Sequence, residues 1–102
     1  MASFTRRDAN HLAVKRALMA AGRPVKDCAT YGGLGCDLMT EHVLGYLVLL
    51  EIKDGSLVPS ARKLTDSEEQ LRAMFPGSFR VVLSVEEALA AVGLVPVSSG
   101  PR

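Results

Sequence analysis

Tyr46-Leu47-Val48-Leu49-Leu50-Glu51-Ile52-Lys53-Asp54-Gly55 is the stretch on which the reading of this chain turns. Tyr46 to Leu50 is almost wholly apolar, the pattern of a strand buried on both faces. Asp54-Gly55 then ends it. Alternate residues of a strand share a face, so Glu51 and Lys53 point the same way at the strand's end. Farther back, Asp37 follows a glycine-rich turn, Gly32-Gly33-Leu34-Gly35. Two carboxylates beside an ammonium can hold a divalent cation and activate a water.

Working outward from that strand, the N-terminal side predicts a helix over Asp8–Ala21. Leu12, Ala13, Ala17 and Ala20 supply an apolar stripe with Val14 and Leu18, and Gly22 and Pro24 close it. A short extended segment follows at Val25–Thr30, then a strand at Cys36–Thr40 and a turn at Glu41–Gly45. On the C-terminal side, a loop containing Pro59 runs to Leu64. Thr65-Asp66-Ser67-Glu68 reads as a capping box opening a helix to about Phe75, which Pro76-Gly77 stops. Phe79–Leu83 is a fourth strand. Ser84-Val85-Glu86-Glu87 is a second capping box, opening a helix that ends at Gly93. The expected order is α-β-β-β-α-β-α in one α/β domain over residues 1–95, with a flexible tail over 96–102.

Composition narrows the function classes. The chain has 102 residues, 48% of them hydrophobic, enough for one core and against wholesale disorder. With no Trp, two Tyr and three Phe, stacking of bases on aromatic rings is not the obvious binding mode. Cys28 and Cys36 make neither a disulfide framework nor a zinc-ligand pair, and read as reduced, partly buried thiols. A polar N-terminus argues against a signal peptide, and no apolar run reaches the roughly 20 residues of a membrane span. A cytoplasmic location without membrane association is the expectation.

The net charge is only +1, but its distribution is uneven. Arg6, Arg7, Lys15, Arg16, Arg23 and Lys26 against Asp8 and Asp27 leave residues 1–36 at +4. Asp37, Glu41, Glu51 and Asp54 against Lys53 leave residues 37–59 at −3. An acidic centre with basic flanks fits a metal site beside a phosphate-binding surface, and also fits ordinary solvated faces. Gly32–Gly35 is not a phosphate-binding P-loop, because no Lys-Ser/Thr pair and no helix follow. Nor does it have the spacing of a dinucleotide fingerprint. It is either a plain turn or a place where backbone passes close to the site or a ligand.

Gly35-Cys36-Asp37, an intervening hairpin, Glu51-Ile52-Lys53 and a following helix containing Gln70 resemble the PD-(D/E)XK nuclease superfamily. The nearest resemblance is to small stand-alone VRR-NUC nucleases of phages and bacteria. It extends from Arg6-Arg7-Asp8-Ala9-Asn10 through Pro59-Ser60-Ala61-Arg62-Lys63-Leu64-Thr65 to Ser84-Val85-Glu86-Glu87-Ala88-Leu89. The resemblance implies a restriction-endonuclease-like mixed central sheet flanked by helices. It implies Asp37 and Glu51 as carboxylate ligands of Mg²⁺ or Mn²⁺, the Ile52 backbone carbonyl as a further ligand, and Lys53 at the attacking water. Gln70 would reach back to the site from its helix. The implied activity is hydrolysis of phosphodiester bonds in DNA, branched DNA such as a Holliday junction, by a homodimer. Arg6, Arg7, Arg62 and Lys63 are the candidate DNA contacts.

Two positions depart from the family pattern. Cys36 stands before Asp37 where the family usually has Pro. His11 stands where relatives often carry a metal-binding Glu on the first helix. His11 is either a ligand, for Mn²⁺ above all, or a surface histidine without a role. The alternative to a nuclease is therefore a weak or inactive nuclease-fold protein serving as a DNA-binding or regulatory subunit. The surplus of apolar residues suggested a two-fold interface, with Phe79–Val92 as its candidate face.

Overall fold

The apolar run becomes the central strand of the protein. The computed structural model describes residues 5–54 and 63–94, with the side chains of 5–9 outside that description. Within it, α1 spans Thr5–Ala20, β1 Lys26–Asp27, β2 Leu38–Glu41 and β3 Leu47–Ile52. They are followed by α2 over Asp66–Met74, β4 over Phe79–Val82 and α3 over Val85–Ala91. The expected order α-β-β-β-α-β-α is the observed one, and the sheet order is β1-β2-β3-β4. β3 pairs antiparallel with β2, Leu38 opposite Leu50, and parallel with β4, Glu51 opposite Val81. A parallel pair cannot be joined by a tight turn, so the chain crosses over through α2 between β3 and β4. The sheet is mixed for that reason.

β3 is buried on both faces, as its sequence requires: Val48 to Ile52 are all buried and only Leu47, at its entry, is exposed. On one face, Val14 and Leu18 of α1, Ala88 of α3 and its C-cap Val92 close over Leu38, Val48, Leu50, Ile52 and Val82. On the other, Cys28, Cys36, Leu49 and Phe79 form a smaller cluster that Leu71 of α2 covers, with Met39 and Leu64. The helices therefore lie on both faces of the sheet. Burying nine core side chains such as these is the main source of stability, at about 25 cal/mol per Å² of apolar surface removed from water.

The local signals hold with adjustments. α1 begins three residues before the expected Asp8, and its inward stripe is Val14 and Leu18, one turn apart. Leu12, Ala13 and Ala20 face outward instead. β1 shrinks to two residues because the chain turns away at Ala29, whose N–H donates to Asp27 Oδ1. The Thr65 capping box is complete: Thr65 Oγ1 accepts from Glu68 N, and Glu68 Oε1 accepts from Thr65 N. At α3 only half the box forms. Ser84 Oγ accepts from Glu87 N, while Glu87 Oε1 accepts from Leu83 N.

The stretch Phe79–Val92 does not offer an apolar face to a partner. Phe79, Val82, Ala88 and Val92 are buried, and only Val81 of its large apolar side chains is exposed. The exposed apolar side chains gather instead around the β2–β3 turn, at Val43, Leu44, Tyr46 and Leu47, with Leu44 80% exposed. Among the described residues no helix is long and apolar enough to cross a membrane. The 96–102 tail and Arg62 lie outside the described residues, as do the side chains of Arg6 and Arg7.

Candidate active site

Three elements deliver the charged groups. Asp37 sits just before β2, Glu51 and Ile52 close β3, and Glu68 lies in the first turn of α2. The loop into Asp37 and the start of α2 touch at Gly35. A Cβ there would lie 2.6 Å from the Ser67 carbonyl oxygen, and its φ of 103° is one that side-chain-bearing residues rarely adopt. Close backbone approach is thus what this glycine does. It lets the Thr65 capping box aim Glu68 at the strand ends.

Asp37 is 7% exposed, and its Oδ2 accepts from the Ile52 amide at 2.8 Å. Its own N–H donates to Leu50 O and its carbonyl accepts from Cys28 N, each at 2.8 Å. The carboxylate therefore extends the β2–β3 ladder where backbone pairing stops. Lys53 is fixed from two sides, its N–H donating to Val82 O at 3.0 Å and its carbonyl accepting from Asn10 Nδ2 at 3.1 Å. Its ammonium donates to Glu68 Oε1 at 3.0 Å and lies 3.4 Å from Glu51 Oε2. The second approach makes no hydrogen bond, which leaves Glu51 Oε2 buried without a donor.

Glu51 is the most strained of these groups electrostatically. It is 2% exposed, and its carboxyl is pushed up to about 9 from an ordinary 4.5. Burial is the largest cause, followed by a hydrogen bond with Glu68 and the charges of Asp37 and Glu68; Lys53 opposes them. Glu68 moves the other way. Burial alone would raise it, but the Glu51 carboxyl, the Thr65 N–H and Lys53 outweigh burial and hold it below the usual carboxylate range. The Cys36 thiol is pushed up to about 12 by burial, then by Cys28, Glu51 and Asp37, so it is a packing group and not a nucleophile.

Asp37, Glu51 and Glu68 line one cleft of ≈ 360 Å³, with the Cys28–Cys36 loop as its other wall. A larger cavity of ≈ 480 Å³ lies elsewhere, between Pro24–Lys26, Met39–Glu41, Gly45 and Leu47. Its lining holds Lys26 and Glu41 but no pair of carboxylates, so the chemistry belongs to the smaller cleft.

The expected residues do not all meet there. Asp37 and Glu51 line the cleft, and the Lys53 ammonium meets it through Glu51 and Glu68. Gln70 does not: it is exposed on α2 and does not line the cleft, because Ser67, Glu68 and Leu71 take the inward face of that helix. Sequence reading assigned Glu68 to capping alone, although the spacing Thr65–Glu68 that marks the cap also fixes which face Glu68 occupies. His11 is likewise elsewhere, its Nε2 3.2 Å from Asp27 Oδ2, which also accepts from Lys15 Nζ at 3.1 Å. Lys63 is exposed just before α2.

Among the described residues no group of three or more His, Cys, Asp or Glu side chains is arranged to hold a metal ion. Glu68 is committed to Lys53 and Thr65, which leaves Asp37 and Glu51 as a pair. That pair suits a hard cation. Mg²⁺ keeps several waters and takes only one or two protein carboxylates together with substrate oxygens, and Glu51 Oε2 is a buried oxygen without a hydrogen-bond donor, the Lys53 ammonium standing 3.4 Å away. Compared with models of protein families, with curated proteins and with solved structures, the chain matches none.

Proposed function

We propose that this protein is a Mg²⁺- or Mn²⁺-dependent, structure-selective DNA endonuclease that hydrolyses phosphodiester bonds in branched DNA such as a four-way junction. The observation that carries the reading is Glu51. A carboxyl 2% exposed, at a strand end beside Asp37 and Lys53, with one oxygen lacking any donor, is costly to the fold and calls for a cation. The resemblance to PD-(D/E)XK nucleases in the order of Asp37, Glu51 and Lys53 points the same way.

The carboxylates of Asp37 and Glu51 and the backbone carbonyl of Ile52 would hold the ion. When bound, such an ion polarises the phosphate and lowers the pKa of a coordinated water. Lys53 orients the attacking water and offsets negative charge developing on the phosphate. Glu68, 3.0 Å from the Lys53 ammonium, is a positioning residue that keeps that ammonium over the strand end. Asn10 does the same for the Lys53 backbone through its hydrogen bond to the carbonyl. Lys63, with Arg6, Arg7 and Arg62, would contact the DNA backbone.

Paired incisions across a junction need two sites, so the active form is a two-fold homodimer. Its interface falls to the apolar side chains of the β2–β3 turn, Val43, Leu44, Tyr46 and Leu47, which the fold leaves uncovered.

A second reading rests on one observation: among the described side chains of α1, Asn10 reaches this end of the sheet and no carboxylate does. In that reading the protein is a weak or inactive nuclease-fold DNA-binding or regulatory protein. Incubation with Mg²⁺ or Mn²⁺ and four-way junction, flap, duplex and single-stranded DNA separates the two. Metal-dependent cleavage of the branched substrates is the expected result. Binding without cleavage in either metal selects the second reading, and absence of both binding and cleavage removes the two together.

A further inference from the structure

Tyr31 stands on the wall of the cleft opposite the carboxylates and is 52% exposed. Its loop is tied by two turn hydrogen bonds, Tyr31 N–H to Cys28 O at 3.0 Å and Leu34 N–H to Tyr31 O at 3.2 Å. The backbone that carries the ring is therefore held in place. Lys26 Nζ lies over the ring, 5.7 Å from its centroid. An aromatic ring in the lining of a cleft with paired carboxylates, and a cation against that ring, are the equipment for one base and its phosphate.

The glycines beside it support this. Gly35 is needed for packing, but a Cβ at Gly32 or Gly33 would meet nothing within 4 Å. Gly33 has a φ of 78° that serves the turn, whereas Gly32 lacks a positive φ. Neither backbone nor packing explains Gly32. What the two glycines share is that no side chain stands in the open space beside the ring.

Size admits such a ligand. At ≈ 360 Å³ the cleft is at the small end of the range of about 300–1,000 Å³ typical of ligand sites, room for one nucleotide unit.

We infer that Tyr31 is a stacking platform for a single unpaired nucleobase next to the scissile phosphate, with Lys26 beside it on the backbone. The inference rests on the nuclease reading and deepens it, naming strands with unpaired or extruded bases as the substrate class.

The chain supplies its own probe, because it has no Trp and two Tyr. Tyr46 stacks on His42 at 4.4 Å, a contact that Phe retains, so Tyr46→Phe leaves Tyr31 as the single tyrosine emitter. In the Tyr46→Phe/Lys53→Ala protein with Mg²⁺, tyrosine emission is followed against an unlabelled single strand of about eight nucleotides, a four-way junction and a blunt duplex. Anisotropy of the same DNAs carrying a dye reports binding independently. The expected result is saturable quenching by the single strand and the junction, none by the duplex, and about tenfold or greater loss of single-strand affinity on Tyr31→Ala. Tyr31→Phe should retain that affinity. Binding by anisotropy with unchanged emission, and equal affinity of Tyr31→Ala, would overturn the platform and leave the nuclease reading standing. No binding of any of the three DNAs would overturn both.

Discussion

Glu51→Gln should destroy the proposed activity and stabilise the protein. The side chain is 2% exposed and its carboxyl titrates near 9 in place of 4.5. A raised carboxyl pKa means the folded chain holds a proton that the unfolded chain has released. Stability from this group is then complete below about 4.5 and is lost as pH rises from there towards about 9. At about 1.4 kcal/mol per pKa unit, the part of that window crossed by pH 7 amounts to about 3 kcal/mol. Gln has the same shape and no proton to lose. Its amide can donate to Glu68 and its carbonyl can accept from Lys53, so most of the difference should be recovered. A gain of about 2 kcal/mol raises the melting temperature of a domain this size by roughly 10 °C. The assay is calorimetric melting of parent and variant in chelator across the acid-to-alkaline range. The parent should lose stability as pH climbs, the variant should not, and the two should converge in acid. A parent whose melting point is flat from acid to alkaline pH, or a folded variant less stable than the parent at alkaline pH, would refute the reasoning.

Other expectations follow from neighbouring geometry. Asp27 accepts from the Ala29 N–H, His11 and Lys15, which together outweigh burial and hold its carboxyl below 3.8. That support is present above the ordinary carboxylate value and lost as pH falls through the lowered one, so Asp27→Asn should lower stability at neutral pH by about 1 kcal/mol, with the difference vanishing in acid melts. Gly35→Ala forces a Cβ to within 2.6 Å of the Ser67 carbonyl oxygen at a φ of 103°. It should cost at least about 1–3 kcal/mol in denaturant melts and lower cleavage more than the stability loss accounts for, since it moves Glu68 relative to Asp37. Leu44→Lys puts a charge on the side chain that is 80% exposed at the β2–β3 turn. Light scattering should show a dimer for the parent and a monomer for the variant, with melting in dilute solution unchanged; a monomeric parent would end the dimer proposal.

Much of this fold was legible because its signals are local. The Tyr46–Leu50 run suits a strand buried on both faces, which holds from Val48 on while Tyr46 and Leu47 stay exposed; Thr65–Glu68 marks a cap, and Pro76-Gly77 follows the end of α2. What was lost depended on partners distant in sequence. The inward stripe of α1 was placed over too many positions, because Ala residues at helical spacing do not reveal which side the sheet lies on. Phe79–Val92 reads as spare apolar surface in sequence, but α1 packs on Val82, Ala88 and Val92 while α2 covers Phe79. At the site, strand periodicity pairs Glu51 with Lys53, and the resemblance to the nuclease superfamily adds Asp37. Gln70 was misplaced by one face of a short helix, and Glu68 was overlooked because capping already accounted for it. Gly32–Gly35 reads either as a plain turn or as a close approach; that Gly35 meets α2, with Tyr31 lining the cleft, needed the fold.

Single-turnover cleavage of a four-way junction by the parent and by Lys53→Ala, with DNA affinity measured on the same samples, tests the central claim most directly. Lys53 is 3.0 Å from Glu68 and 3.4 Å from Glu51, both of which line the cleft, and no described Lys or Arg lines the cleft itself. Its loss should lower the Mg²⁺-dependent rate about 10²- to 10⁴-fold while junction affinity stays within about threefold. Equal rates for the two proteins, or no metal-dependent cleavage by the parent, would contradict the account.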